Sequence, residues 1–196
     1  MIACLRLFSA LFLAALLAAC ASSPSSSLGE LPRTPDASIE QLLEQAAAAK
    51  SPDKAALLRL SAADQANRQR DPGRAARILE QVPLDQLKPA QQVYASTLSA
   101  ELALGRNQPK AALTALSHPS LQRLGELPVE QQIRTGLVQA RALEADGQIM
   151  PAASERVFIA PLLKGPEASA NHEAIWTLVA ALPTEQLQST SNNDLS

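Results

Sequence analysis

The chain has 196 residues, and its net charge of −2 gives no general attraction to nucleic acid or to an anionic membrane surface. Hydrophobic residues make up 46% of the sequence but aromatic residues only 3%, and alanine and leucine dominate. Two cysteines, Cys4 and Cys20, are too few for a disulfide framework or a thiolate metal site. This composition and length suit one domain of closely packed helices.

The first 20 residues have the three parts of a secretory signal. Arg6 makes the amino-terminal end positive, an apolar run follows, and the small-residue site Leu17-Ala-Ala-Cys20 closes it. The run is shorter than the ~20 apolar residues of a transmembrane helix. Its ending resembles the lipobox of bacterial lipoproteins, in which the cysteine becomes the acylated first residue; an ordinary signal peptide is the alternative. We therefore predict a signal peptide over residues 1–19, lipid attachment at Cys20 and, because Ala21 and not aspartate follows, anchoring at the periplasmic face of the outer membrane.

Residues 20–36 are predicted to form the lipidated cysteine and a disordered tether, because residues 21–36 are rich in Ser and Pro and lack apolar periodicity. Extended, these 16 residues could span roughly 50 Å. Helical periodicity follows, divided by prolines and glycines. It predicts helices over residues 39–50, 51–70, 74–82, 89–104, 109–117, 128–146, from about 150, and 167–182.

Several residues specify the ends and inner faces of these helices. Ser38 and Ser51 are predicted N-caps, and Gly105 is a predicted C-cap. Two apolar stripes are predicted to face the core. They consist of Tyr94, Leu98 and Leu102, and of Val129, Ile133, Leu137 and Ala140.

Three segments repeat one pattern of paired helices. Each predicted second helix begins with two alanines, and a proline follows eight or nine residues later. The first alanines, Ala75, Ala111 and Ala152, are 36 and then 41 residues apart. Periods of this length are typical of tetratricopeptide-like hairpins. We predict an all-α helical-hairpin solenoid over residues 37–188, with an irregular α-helical bundle as the alternative.

Short motifs that suggest catalysis are better explained by helix structure. Ser51-Pro-Asp-Lys54 fits the S-x-x-K motif of penicillin-binding enzymes, but the partner motifs S-D-N and K-T-G are absent. His172-Glu173 begins like a zinc-protease helix, yet Trp176 stands where the second histidine is needed. His118 is interpreted as a favourable contact at a helix C-terminus. We expect no enzyme activity, metal or cofactor.

Two groups of residues are candidates for binding a partner. Arg68, Arg70, Arg74 and Arg77 concentrate positive charge around one hairpin turn. A solvated face explains them most simply, and a docking surface for an acidic partner is the alternative. Trp176 lies at the edge of the apolar stripe formed by Ile175, Leu178, Val179 and Leu182, and we predict that it packs over the final hairpin. Contact with a partner or a following domain is the alternative there.

The order of these features resembles the N-terminal half of LpoA-type lipoproteins, the outer-membrane activators of penicillin-binding proteins. The resemblance covers nearly all of the sequence after the signal, and its motifs are packing motifs without catalytic residues. It runs through Arg74-Ala-Ala-Arg-Ile-Leu-Glu-Gln-Val-Pro83, residues 90–104 and Ala111-Ala-Leu-Thr-Ala-Leu116, and is most specific at Asn171-His-Glu-Ala-Ile-Trp176, leading into Pro183-Thr-Glu-Gln-Leu187.

The resemblance implies a non-enzymatic regulator of peptidoglycan synthesis, with a class A penicillin-binding protein as partner and peptidoglycan nearby. Family members have a second domain, similar to a type I periplasmic binding protein, that contacts the synthase. Residues 189–196 are expected to begin the linker to that domain, and the present chain is then the helical scaffold. The alternative is a generic envelope-assembly lipoprotein that binds a different protein. Nucleic acid is not expected as a partner in this compartment.

Overall fold

A computed structural model describes residues 37–182, and all regular structure in this range is helical, which confirms the predicted all-α fold. The predicted signal peptide, Cys20, tether and linker lie outside the described residues. Within residues 37–182, 3-10 helices connect the hairpins at Leu84–Gln86, Pro119–Glu126 and Ala160–Leu162. The α-helices are α1 (Ile39–Ala48), α2 (Pro52–Arg68), α3 (Pro72–Leu79), α4 (Pro89–Gly105), α5 (Pro109–Leu116), α6 (Val129–Ala145), α7 (Ile149–Ile159) and α8 (Gly165–Ala180).

Three successive hairpins, α2–α3, α4–α5 and α6–α7, share one turn. In each turn one residue adopts the left-handed conformation: Arg70 at φ 62°, Asn107 at φ 57° and Gly147 at φ 78°. The amide of the next residue then donates to a carbonyl five residues earlier, over 2.9 to 3.0 Å. Such bonds satisfy carbonyls that a helix end leaves open. The repeated turn confirms the tetratricopeptide-like hairpins.

The turns also fix the register of the repeat. In the second repeat this register differs by one residue from the one predicted from the sequence. Ala75, Ala112 and Ala152 each follow the left-handed residue by five positions, and each is 0% exposed. Ala111, which had been aligned with the other two, is exposed. The repeats are therefore 37 and 40 residues long, not 36 and 41. A small side chain at this position lets the second helix of each hairpin approach the first.

Two of the three predicted caps differ from what the structure shows. Ser38 is the N-cap of α1 as predicted: its Oγ accepts from the Gln41 amide at 3.2 Å, and its own amide donates to Gln41 Oε1 at 2.8 Å. Ser51 stands at the N-cap position of α2 but makes no capping hydrogen bond. Gly105 is the last residue of α4, and the left-handed reversal falls two residues later.

The interpretation of His118 as a cation at a helix C-terminus is wrong. Helix α5 already ends at Leu116, and His118 begins the following 3-10 helix as its N-cap. His118 Nδ1 accepts from the Ser120 amide at 3.3 Å and lies 2.7 Å from Ser120 Oγ. Pro119 is the first residue of that 3-10 helix, where a missing N–H costs nothing.

The apolar core is divided into three clusters that become smaller along the chain. The first joins α1 to α4 and contains Leu60 and Leu98, both 0% exposed, so the predicted burial of Leu98 is confirmed. The second lies among α4, α5 and α6, and the third between α7 and α8. No helix within residues 37–182 combines the length and the apolar character that a bilayer-crossing segment requires.

Helix α6 presents only part of the predicted apolar stripe to the core: Ala140 is 0% exposed and Ile133 and Leu137 are half-buried. Val129, at its start, is 46% exposed, whereas Thr135 is 0% exposed and Gly136 is buried. Gly136 lies against α7, and a Cβ atom there would collide with Ile159 Cγ2. Close approach to α7 at Gly136 therefore helps to select the inner face of α6, together with apolar burial at Val138 and Ala142.

A polar network joins the first helices of the three hairpins. Tyr94 Oη in α4 donates to Asp64 Oδ1 in α2 at 2.6 Å. Arg134 in α6 donates from Nε and Nη2 to the two carboxylate oxygens of Glu101 in α4, at 2.8 and 2.7 Å. The Arg134 guanidinium also stacks over the Tyr94 ring, 4.6 Å from its centroid. These directional contacts fix how each hairpin sits on its neighbour.

Burial and the Asp64 carboxylate both disfavour the tyrosinate form of Tyr94. Desolvation is the larger cause, and the hydrogen bond to Asp64 adds to it. The positive charge of Arg134 acts in the opposite direction, but the net effect raises the pKa of Tyr94 to about 12. For Arg134, burial opposes the charged form, but the hydrogen bonds to Glu101 prevail and raise its pKa. The network therefore holds a neutral phenol and a charged guanidinium across the physiological range.

Gly136→Ala should destabilise the protein, although alanine is the better helix former. The added methyl group collides with Ile159, and overpacking of this kind costs about 1–3 kcal/mol. Gly105→Ala is the matched control because nothing lies within 4 Å of its Cβ position. It should be neutral or stabilise by up to about 1 kcal/mol. Urea unfolding measures both, and an equal effect of the two changes would contradict this packing.

The one tyrosine of the chain provides a pH test of the network. Ultraviolet titration of folded protein should give a midpoint near 12 for Tyr94, against 10.0 for an unperturbed tyrosine. Because the pKa of Tyr94 is higher in the folded protein than in the unfolded chain, the neutral phenol stabilises the folded state. This stabilisation is complete below pH 10 and is lost as the pH rises through 12. Asp64→Asn should lower the midpoint. A folded midpoint near 10 would show that the phenol is solvated.

Candidate interaction surfaces

A groove of about 540 Å³ lies between the second helices of two hairpins. Helices α3 and α5 form its walls and α4 forms its floor. Two charged side chains lie at this groove, Glu80 on α3 and Arg106 just after α4. The apolar lining comes from both hairpins and consists of Ala76, Leu79, Val82, Leu84, Ala95, Leu102, Ala115 and Pro119.

The floor of the groove carries two hydroxyls that are not used inside the protein. Most helical Ser and Thr side chains with a hydrogen bond donate to a carbonyl four residues earlier, as Ser61 and Thr97 do at 2.9 Å. Ser96 is only 3% exposed and lines the groove, yet within residues 37–182 its hydroxyl has no hydrogen-bond partner. Ser99, one turn later, also lines the groove without a partner in that range. These hydroxyls can bond to a molecule in the groove.

The predicted arginine cluster is brought to the turn between α2 and α3, but two of its members are already paired. Arg68 Nη2 lies 2.8 Å from Asp64 Oδ2, and Arg74 Nη2 lies 2.6 Å from Glu40 Oε1 in α1. Arg70 is the left-handed turn residue, and both Arg70 and Arg77 are exposed.

The pair with Arg74 has a local electrostatic effect. The hydrogen bond from Arg74 is the main cause that lowers the pKa of Glu40. This contact pins α1 to α3 and leaves less positive charge available to an acidic partner than the sequence suggests.

The prediction that Trp176 packs over the last hairpin is wrong. Its side chain is 63% exposed, and the indole Nε1 donates to His172 Nε2 at 2.8 Å. The two rings meet edge to face, with centroids 6.1 Å apart. On α8 the buried side chains are Asn171 and Leu178, so Trp176 points to the opposite face. His172 thus orients an exposed aromatic ring and is not part of a metal-binding helix.

A second exposed aromatic residue, which the sequence analysis missed, lies on α7. Phe158 is 74% exposed and its neighbour Val157 is 56% exposed. Phe158 borders a cavity of about 290 Å³ between α6, α7 and the 3-10 helix Pro119–Glu126. Glu155 lines the same cavity, and burial raises the pKa of its carboxyl. Apolar periodicity alone could not identify Phe158, because it falls beside the buried Ile159.

The motifs that had suggested catalysis occupy ordinary structural positions. Ser51 precedes α2, and its hydroxyl lowers the pKa of the neighbouring Asp53 carboxyl. Among residues 37–182 there is no group of three or more His, Cys, Asp or Glu side chains placed to hold a metal ion. The surfaces that remain are suited to binding.

Comparisons with known proteins agree with this helical architecture. The family described as LppC putative lipoprotein matches residues 32–196. The N-terminal domain of LpoA from Haemophilus influenzae superposes with a TM-score of 0.50 at 18% identity, over 81% of this chain and 71% of that domain. Full-length LpoA from the same organism gives a TM-score of 0.50 at 18% identity, over 79% of this chain and 28% of that one.

A further LpoA structure from Haemophilus influenzae gives a TM-score of 0.50 at 19% identity and covers 76% of this chain. The chain spans only 27% of that protein's length. Among curated proteins no match is found. The structural likeness establishes the shared fold of an LpoA-type helical domain, and the family match over residues 32–196 shows that the chain belongs to the LppC family of putative lipoproteins.

Proposed function

We propose that this chain is the helical arm of a non-enzymatic lipoprotein that regulates peptidoglycan synthesis by class A penicillin-binding proteins. The observation that carries the proposal is the lipoprotein-family match over residues 32–196, joined to a lipobox that ends at Cys20. The family and the motif come from different parts of the chain and support the same kind of protein.

The proposed anchor is a lipid on Cys20 at the periplasmic face of the outer membrane. Residues 21–36 then separate the membrane from α1, with a maximum span of roughly 50 Å. An arm of this kind would bring a binding surface toward the peptidoglycan layer, where the synthases work.

The described helices support an arm that acts by binding. Three hairpins are joined by the bidentate contact between Arg134 and Glu101 and by the hydrogen bond from Tyr94 to Asp64. These directional contacts make the arm a stable support. The groove over α4 and the aromatic side chains at the α7–α8 end provide its two candidate contact surfaces.

Among these surfaces we propose the exposed ring of Trp176 as the contact for the partner or for a following domain. Tryptophan is favoured in such contacts because it buries a large area and keeps one donor. The contact from His172 fixes the orientation of the ring before anything binds. The arginine turn is a secondary candidate because only Arg70 and Arg77 lack an ion pair within residues 37–182.

A generic envelope-assembly lipoprotein is the second candidate function. Helical hairpins with a lipid anchor serve that role equally well, and the groove is not specific for a synthase. The identity of the bound partner separates the two proposals.

Affinity purification from solubilised membranes tests the proposed partner. The full-length lipidated protein should retain class A penicillin-binding proteins. The Cys20→Ser form, which cannot be lipidated, should retain fewer of them. Untagged lysate is the background control. Recovery of insertion or transport components without any synthase would overturn the proposal and support the assembly function.

Trp176→Ala should weaken partner binding without affecting the fold. An exposed side chain contributes little to stability, so the free energy of unfolding should change by less than about 0.5 kcal/mol. Loss of an aromatic anchor should weaken retention about tenfold or more. Thr177→Ala, one residue along the same helix and also exposed, is the matched control. A stability loss near 3 kcal/mol would instead restore the packing interpretation.

A further inference from the structure

The groove over α4 combines an apolar lining with an unpartnered hydroxyl and two charged side chains that form no ion pair within residues 37–182. Ser96 is nine-tenths buried and faces the groove with an unpartnered hydroxyl. Glu80 and Arg106 also line it, and neither forms an ion pair within residues 37–182. Such a site fits a short peptide that carries apolar side chains together with one charge of each sign.

The described chain begins close to one wall of this groove. The Ala37 carbonyl accepts from Gln65 Nε2 at 3.1 Å, and three residues later Glu40 is bonded to Arg74 on α3. Ala76, two residues after Arg74, is already part of the groove wall. The segment before Ala37 therefore starts about one helix diameter, ~10 Å, from the groove.

The sequence before Ala37 contains one stretch with the required chemistry. Leu28-Gly-Glu-Leu-Pro-Arg33 holds the two leucines of the otherwise Ser- and Pro-rich residues 21–36, with one acidic and one basic residue. Leu31 is six residues from Ala37, which allows an extended span of roughly 20 Å. The segment is long enough to cross α3 and reach the groove.

We propose that residues 28–33 dock in the groove of their own chain. Arg33, which is nearer to Ala37, pairs with Glu80 on the near wall, and Glu30 reaches Arg106 beyond it. Leu28 and Leu31 cover the apolar lining, and the peptide backbone bonds to the Ser96 hydroxyl.

Docking would set how far the arm extends from the membrane, a consequence that rests on the proposed lipid anchor at Cys20. With residues 28–33 bound, about eight residues remain between the lipid and the folded domain, or roughly 25 Å in place of 50 Å. A partner that takes the groove would release the segment and lengthen the arm.

Disulfide trapping tests the docking in purified protein. The mature chain with Cys20→Ser has no cysteine, so a pair can be introduced at chosen positions. Gly29→Cys with Ser99→Cys joins the segment to the groove floor, and Gly29→Cys with Ser154→Cys, exposed on α7, is the matched control. Mass spectrometry after mild oxidation should show at least about tenfold more intramolecular disulfide in the groove pair, because docking raises the effective concentration.

A charge exchange then tests the proposed orientation. Arg106→Glu should lower the groove yield about three- to fivefold, the effect of losing one exposed ion pair, and adding Glu30→Arg should restore it. Equal yields in the groove and control pairs, or no response to Arg106→Glu, would overturn the proposal. Disulfide-linked dimers would overturn it too, because the groove would then hold the segment of a second copy.

This experiment needs neither a membrane nor a synthase, so its outcome is separate from that of the affinity purification. Failure of the disulfide trapping leaves the proposed function intact. Conversely, a trapped segment in a protein that retains no synthase would reject the proposed function and keep the docking.

Discussion

The fold depends on how closely the two helices of each hairpin approach one another. Ala75, Ala112 and Ala152 occupy the same position after the left-handed turn residue, and all three are completely buried. The contact between α6 and α7 also requires a small residue, because a methyl group at Gly136 would collide with Ile159. Larger side chains here would separate the helices, and the turns, the groove and the spacing of the repeats would all change with them.

Polar contacts add directional order to the apolar clusters that join the hairpins, in a chain with only 3% aromatic residues. Tyr94 is the single tyrosine of the chain, and it is bonded to Asp64 while Arg134 stacks on its ring. Partly buried polar contacts of this kind add little net stability but favour one arrangement of the hairpins over others. Thr97 and Thr135, whose hydroxyls lie 2.9 Å apart between α4 and α6, act in the same way. The groove keeps its shape because α3 and α5 are carried on helices held in this manner.

Local signals in the sequence were sufficient to predict the helices, and they failed where tertiary packing decides. Ser38 predicted the start of α1, and the capping box that it forms with Gln41 involves only neighbouring residues. The reversal at Asn107 was assigned to Gly105, because glycine is the usual left-handed residue although asparagine also tolerates that conformation. Trp176 was expected to be buried, but the face of α8 that packs inward is chosen by its partner α7. Likewise, the sequence could not show that Ser96 faces a groove, because the groove is formed by residues of two different hairpins.

The decreasing size of the three core clusters gives the arm unequal resistance to force along its length. Solenoid repeats contact only their neighbours, so they come apart from an end and not all at once. The cluster that joins α1 to α4 is the largest, and the cluster between α7 and α8, built around Ala152, Ala153 and Leu178, is the smallest. If tension is applied between the two ends of residues 37–182, we expect α8 to detach first. The hairpins at the N-terminal end of this range stay folded longer, so resistance to tension decreases from the first hairpin to the last helix.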